Sequence, residues 1–271
     1  MNPLLKAHIS VDYPNKPGAL RDVELEIGEG EILGLVGESG SGKSTIALAL
    51  LRLLDHKGGS VRGELLFGDC DLLNLRPKEM RKIRGREIAL VLQSPLSSLN
   101  PVLRIGTQIA EAWSAHNPDA AKQWKDRALE LFDRVNLPAE ENFLERYPRQ
   151  LSVGQAQRVL IAMAVLHRPR LLIADEATSA LDAITQSEIL ALFRRLNRDL
   201  NMAMLFISHD LLSVASICSR IAILQHGRIV ECGPTEQMFR DPRTEDTRAL
   251  LQAVMRNPFT SADLETPALT R

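Results

Sequence analysis

The stretch Glu31-Ile32-Leu33-Gly34-Leu35-Val36, continuing as Gly37-Glu38-Ser39-Gly40-Ser41-Gly42-Lys43-Ser44-Thr45, decides the fold. Its first part is almost continuously apolar, as expected of a strand buried on both faces of a parallel sheet. The second part fits G-x-x-x-x-G-K-[ST], the phosphate-loop pattern. Glycines there let the backbone wrap closely enough to aim its N–H groups at phosphate oxygens. The run Ile46–Leu54 (IALALLRLL) reads as the helix that follows, and a helix N-terminus adds partial positive charge. Lys43 can then reach the β and γ phosphates of a nucleotide, while the Ser44 hydroxyl can ligate Mg²⁺. A plain glycine turn is the competing reading, but the strand and helix that the motif demands are both present. Nucleotide binding is expected. The loop alone does not separate a kinase from a GTPase or a motor.

Outward from this loop, strand patterns occur upstream at Ala7–Val11 and Val23–Ile27, and downstream at Ser60–Phe67 and Glu87–Leu92. The periodicity then turns helical, with segments Ile105–Ser114, Ala120–Val135 and Ala156–Leu166. Strands resume at Arg170–Ala174, Met202–Ile207 and Arg220–Leu224, separated by helices at Ile184–Asn201 and Leu211–Ile217. Gln225-His226-Gly227-Arg228 reads as a two-residue hairpin turn leading into Ile229–Cys232. Strand–helix alternation with a helical block midway predicts an α/β protein with a parallel core and an inserted helical subdomain. The expected boundaries are one domain over 1–256, with its core at 1–93 and 167–240 and the helical subdomain at about 94–166. The polar, proline-containing stretch 257–271 is expected to be a poorly ordered tail.

Composition narrows the function. Of 271 residues, 45% are hydrophobic and 25% charged, which supports a packed core rather than disorder. Lys plus Arg (33) against Asp plus Glu (34) leaves a formal charge of −1, so no whole-chain attraction for nucleic acid is expected. The longest apolar run, Val159–Leu166, falls far short of the roughly 20 residues that cross a bilayer. The beginning, MNPLLKAHISVDY, is interrupted by Lys6, His8 and Asp12 and does not read as a signal peptide. Cys70, Cys218 and Cys232 are too scattered for a disulfide framework or metal knuckle, and point to a reduced, cytoplasmic setting.

A second chemical element is Leu171-Leu172-Ile173-Ala174-Asp175-Glu176. An apolar run ending in a carboxylate describes a buried strand that delivers Asp175 to the C-terminal edge of the sheet, where parallel sheets bind ligands. Asp175 can hold Mg²⁺ there. Glu176, next on the chain, points elsewhere and can orient and deprotonate an attacking water.

With Leu151-Ser152-Val153-Gly154-Gln155 some way upstream, the chain resembles the ATP-binding-cassette family of transport ATPases. That family's signature is usually Leu-Ser-Gly-Gly-Gln, followed by a basic helix such as Gln157-Arg158-Val159. The likeness extends to a D-loop-like Ser179-Ala180-Leu181-Asp182, a switch-histidine-like Ser208-His209-Asp210, and Gln93 in the place of the Q-loop glutamine. It runs from residue 13 to about 254, in family order and spacing. The resemblance implies a P-loop NTPase (RecA-like) core with an antiparallel β-subdomain and an inserted helical subdomain. It also implies ATP and Mg²⁺ as cofactors, with Tyr13 stacking on adenine and Gly37 to Thr45 holding the phosphates. Ser44, Gln93 and Asp175 would serve the metal, and Lys43, Gln93, Glu176 and His209 the hydrolysis. In the family two cassettes pack head to tail, so Ser152, Gly154, Gln155 and Asp182 would serve the nucleotide held by the partner chain.

Two positions depart from the family pattern: Val153 stands where glycine is usual, and Ala177 where proline is usual. A β-branched residue is tolerated at the first if φ is negative, and strained if φ is positive. The segment Gln93-Ser94-Pro95-Leu96-Ser97-Ser98-Leu99-Asn100-Pro101, Arg104–Ile109 and the stretch Glu236–Leu251 are similar to the oligopeptide, dipeptide and nickel import branch. The resemblance thus implies an import ATPase at the cytoplasmic face of the inner membrane, for oligopeptides or dipeptides, with nickel as the alternative cargo. Its partners would be membrane permeases, a second ATPase subunit (itself or a paralogue) and, indirectly, an extracytoplasmic binding protein. The cysteine cluster that many peptide-branch members add does not follow, so no iron–sulfur site is expected. A soluble cassette ATPase of DNA repair or the ribosome is the competing class. Two cassettes in one chain, long insertions or basic extensions would mark it.

Overall fold

Along β1 (Leu5–Tyr13) the residues Leu5, Ala7, Ile9 and Val11 are buried, and β2 (Lys16–Ile27) repeats the alternation at Val23, Leu25 and Ile27. They pair as an antiparallel hairpin in which Tyr13 lies opposite Lys16. The strand starts well before the expected Val23, because register shifts absorb the irregular stretch around Gly18, whose φ is +65°. The computed structural model describes residues 3–255, and the expected tail 257–271 lies outside them.

β3 (Ile32–Val36) is buried throughout and runs through the phosphate loop into α1 (Lys43–Leu50). β4 (Ser60–Phe67) and β5 (Cys70–Asp71) complete an antiparallel sheet in the order β2-β1-β4-β5. α2 (Pro77–Ile83), absent from the sequence expectations, opens on Glu79, whose carboxylate accepts from both the N–H and the guanidinium of Arg76, and leads to β6 (Ile88–Val91). Among the described residues, everything regular between β6 and β7 (Leu171–Asp175) is helical. The elements are α3 (Pro95–Ser98), α4 (Ile105–Ser114), α5 (Trp124–Arg134), α6 (Glu141–Leu144) and α7 (Val153–Ala164). The helix expected over Ala120–Val135 divides in two. Pro118–Gln123 forms a 3₁₀ stretch, with Ala120 off helical angles, before α5 begins.

The chain then alternates through α8 (Ala183–Leu200), β8 (Ala203–Ile207), α9 (Leu211–Ile217), β9 (Arg220–Gln225) and β10 (Arg228–Pro234), and ends in α10 (Thr235–Arg240) and α11 (Glu245–Met255). The second sheet has the order β10-β9-β3-β8-β7-β6, parallel except for the β9–β10 hairpin. Alternate residues of its central strands feed two cores. Leu33, Leu35, Ile173, Leu205 and Ile207 pack with α1 and the antiparallel sheet. Leu172, Ala174, Met204 and Phe206 pack with the inserted helices, α8 and α9. Each such side chain contributes about 1.5–3 kcal/mol by leaving water.

The β9–β10 turn does more than reverse the chain. His226 (φ 47°) and Gly227 (φ 76°) are both left-handed, as a two-residue hairpin turn of the expected type requires. The Gly227 N–H donates to the Ser41 carbonyl (3.1 Å), and the Gly227 carbonyl accepts from the Arg21 N–H (2.8 Å). A Cβ at Gly227 would lie 2.6 Å from the Ala19 carbonyl oxygen, so a side chain there would wedge the junction apart. β3, β6, β7 and β8 meanwhile deliver the phosphate loop, Gln93, Asp175-Glu176 and His209 from their C-terminal ends, the binding edge of a parallel sheet.

Candidate functional site

The phosphate loop closes tightly on the protein. A Cβ on Gly37 would sit 2.1 Å from the Leu224 carbonyl oxygen, and Gly42, the N-cap of α1, adopts φ +115°. Only glycine meets both demands without strain. The Lys43 side chain folds back so that Nζ donates to the carbonyls of Gly37 (2.8 Å) and Glu38 (2.9 Å). Burial lowers its pKa, partly offset by the Glu176 and Asp175 carboxylates. The result is a fixed cation at the base of the loop.

β7 supplies two carboxylates with different surroundings. Asp175 is 8% exposed and accepts from the Ser44 hydroxyl at 3.3 Å. Burial raises its pKa, the Ser44 hydrogen bond opposes that rise, and the Glu176 charge adds to it. Side by side, the Ser44 and Asp175 oxygens are the donor type that a hard divalent cation takes. Glu176 turns out of the strand with φ +52°, a left-handed conformation costing a non-glycine residue about 1–2 kcal/mol. Its N–H is secured to the Ile207 carbonyl (2.9 Å), and its Oε2 lies 2.7 Å from His209 Nδ1. A half-buried carboxylate held by an imidazole, near a lysine, is equipped to align a water and take its proton.

Lys43, Ser44, Glu176 and His209 line one open cleft of about 530 Å³ together with Tyr13, Ser39, Gly40, Gly42, Thr45 and Gln93, while Asp175 adjoins it through its hydrogen bond to Ser44. The Tyr13 hydroxyl lies 3.5 Å from Thr45 Oγ1. Glu38 and Ser41 border an adjoining cleft, while Gly37 is buried beneath the loop. Lys16 and Ala19 also line the main cleft, and the sequence reading nominated neither. They enter through the β1–β2 hairpin, and hairpin proximity to the loop is not written in any local motif.

Ser152, Gly154, Gln155 and Asp182 do not line the cleft. Ser152 caps α7: its Oγ accepts from the Gln155 N–H, and Gln155 Oε1 accepts from the Ser152 N–H, both at 3.1 Å. Val153 is the first residue of α7 and is not among the positive-φ residues, so its branched Cβ brings no backbone strain. A Cβ on Gly154 would come within 2.9 Å of Thr185 Cγ2, which reserves that position for glycine. Asp182 caps α8, accepting from the Ile184 and Thr185 N–H groups and from the Thr185 hydroxyl. Those bonds, the Thr185 backbone bond first, lower its pKa.

A family model described as ABC transporter matches residues 20–179, from within β2 to the turn after Glu176. The chain belongs to this family. The dipeptide transport ATP-binding protein DppD of Haemophilus influenzae is 42% identical over 249 residues, 91% of this chain and 76% of that protein. The oligopeptide transport ATP-binding protein OppD of Bacillus subtilis is 41% identical over 243 residues, covering 89% of this chain and 68% of that one. Among solved structures, the ATP-binding cassette MJ0796, as a dimer in a post-hydrolysis state with ADP and Pi, superimposes with a TM-score of 0.72 at 30% identity. It covers 85% of this chain and 98% of that one. As an ABC ATPase, the chain binds ATP and hydrolyses it to ADP and phosphate. No helix among the described residues is long and apolar enough to cross a membrane.

Proposed function

We propose that this chain is the ATP-hydrolysing subunit of a peptide importer, working at the cytoplasmic face of the inner membrane against permease subunits. A second cassette, identical or paralogous, would pack head to tail with it. The observation that carries the catalytic part is the Glu176–His209 contact of 2.7 Å on the same cleft as Lys43 and Ser44. The import part rests on kinship with DppD and OppD, each named for peptide transport.

In this reading Tyr13 stacks on adenine, and the loop N–H groups with Lys43 hold the phosphates. Ser44 and Asp175 would bind Mg²⁺, which takes one or two protein oxygens and leaves its remaining positions to water and phosphate. Bound there, the ion would neutralise charge on the phosphates, and Gln93, which lines the same cleft, would serve it as well. Glu176 takes the proton of the attacking water. His209, anchored through Nδ1 to Glu176, aims that carboxylate and turns its other nitrogen toward the γ-phosphate. Ser152, Gly154, Gln155 and Asp182 present their face to the nucleotide on the partner cassette.

The segment after Gln93 exposes Leu96 (44%) and Val102 (75%), apolar surface suited to a membrane partner. A strain lacking the gene should fail to take up labelled di- or oligopeptides, and the chain should co-purify with integral membrane permeases. Unimpaired peptide uptake in the deletion strain would remove the importer assignment.

A further inference from the structure

Two lysines line the ATP cleft, and they differ in how their charge is balanced. Lys43 is buried, held by two loop carbonyls, and faces the carboxylates of Asp175 and Glu176. Lys16 is exposed on the hairpin. Its ammonium reaches only the Gly40 carbonyl at the crest of the phosphate loop, at 3.5 Å, and pairs with no carboxylate among the described residues. Its backbone lies directly opposite Tyr13 in the β1–β2 register, and both residues line the cleft that also holds Glu176 and His209. The cleft therefore has one cation offset by acids at its floor, and one uncompensated cation at its rim.

We infer that Lys16 is a nucleotide-binding residue: its ammonium leaves the Gly40 carbonyl to pair with the outer part of the phosphate chain, between base and loop. A polyanion entering the cleft gains Coulomb attraction from Lys16 without first displacing a carboxylate. Because the site is open to water, that attraction is screened by salt.

The test uses the full chain and measures ATP and ADP dissociation constants by calorimetry for three proteins: wild type, Lys16→Met, which keeps the aliphatic stem, and Lys16→Arg, which keeps the charge. At an ionic strength of about 20 mM, Lys16→Met should bind both nucleotides about three- to tenfold more weakly, with Lys16→Arg close to wild type. Near 0.5 M salt the difference should shrink to less than about twofold. Melting curves of the nucleotide-free proteins should coincide, since the side chain is exposed and makes a single long hydrogen bond, to the Gly40 carbonyl. Binding by Lys16→Met equal to wild type at low salt would overturn the assignment. So would a loss that Lys16→Arg does not restore, or one that high salt leaves untouched, because a packing role for the stem would behave in those ways.

Discussion

The phosphate-loop cleft and the signature segment are both parts of one ATPase, yet they are built on opposite terms. The cleft is costly. It buries Lys43 and Asp175 and forces Glu176 into a left-handed backbone. The signature is relaxed: Ser152 and Gln155 satisfy each other, Val153 sits in ordinary helix, and Asp182 satisfies the first turn of α8. At Glu176 and Asp175, backbone strain and desolvation fall on neighbouring residues of one site. A surface that another molecule completes needs only shape and free faces.

The largest expected effect breaks the chemistry on the costly side. Glu176→Gln should keep ATP affinity while hydrolysis falls by about a hundred- to ten-thousandfold, read as phosphate release in single turnover. Near-normal turnover would take the base assignment away from Glu176. Lys43→Ala removes the cation itself, and ATP binding should weaken by about tenfold or more, the range for a charge-assisted hydrogen bond. Calorimetry distinguishes that outcome from a variant that binds normally and turns over slowly.

The next experiment joins the two regions. If the signature serves the neighbouring chain, a dimer of one Lys43→Ala chain and one Ser152→Ala chain carries both lesions in one composite site and none in the other. Mixing two poor variants should then restore activity, up to about half that of wild type if sites act independently. Where the native partner is a paralogue, the signature substitution belongs in that chain. Activity no higher than the mean of the separate variants, with mixed dimers verified, would count against a shared site.

Two smaller effects test the contrast in stability. Burial raises the Asp175 pKa above its ordinary 3.8, so the nucleotide-free fold binds that proton more tightly than the unfolded chain does. This contribution is fully present below the unfolded value and is lost as pH rises through the folded one. At neutral pH, Asp175→Asn should raise the Tm of the nucleotide-free chain by a few degrees, and the gap to wild type should narrow as pH falls toward 4. A lower Tm for the variant at pH 7 would show that the carboxylate is not under desolvation stress. On the relaxed side, Ser152→Ala removes a helix cap and should cost about 1 kcal/mol in denaturant melts. A null result there would mean that Gln155 holds the α7 start by itself.

Much of the site was legible because its residues come in runs. The loop 37–45 and the pair Asp175-Glu176 carry their own strand and helix context, and the turn at Gln225–Arg228 announces itself by its glycine. Other features depend on contacts that no short window contains. The apolar periodicity of α7 begins only at Ala156, so its first turn is legible from the Ser152-x-x-Gln155 capping-box pattern rather than from hydrophobic spacing. Val153 enters that helix without a positive φ, as the sequence reading that tolerates valine there expects. Pro118 and the off-helix Ala120 divide a helix whose periodicity looks continuous. Lys16 escaped notice because it joins the cleft across a gap of 24 residues to Gly40.

The shared peptide at Gly227 gives the nucleotide cleft the character of a caliper. One jaw is the hairpin that carries Tyr13 and Lys16; the other is the phosphate loop. Gly227 bonds to both, through Arg21 and Ser41. The opening between the jaws is therefore set by the protein before any nucleotide arrives. Both walls of the cleft are thus tied to one residue of a third segment, the β9–β10 turn.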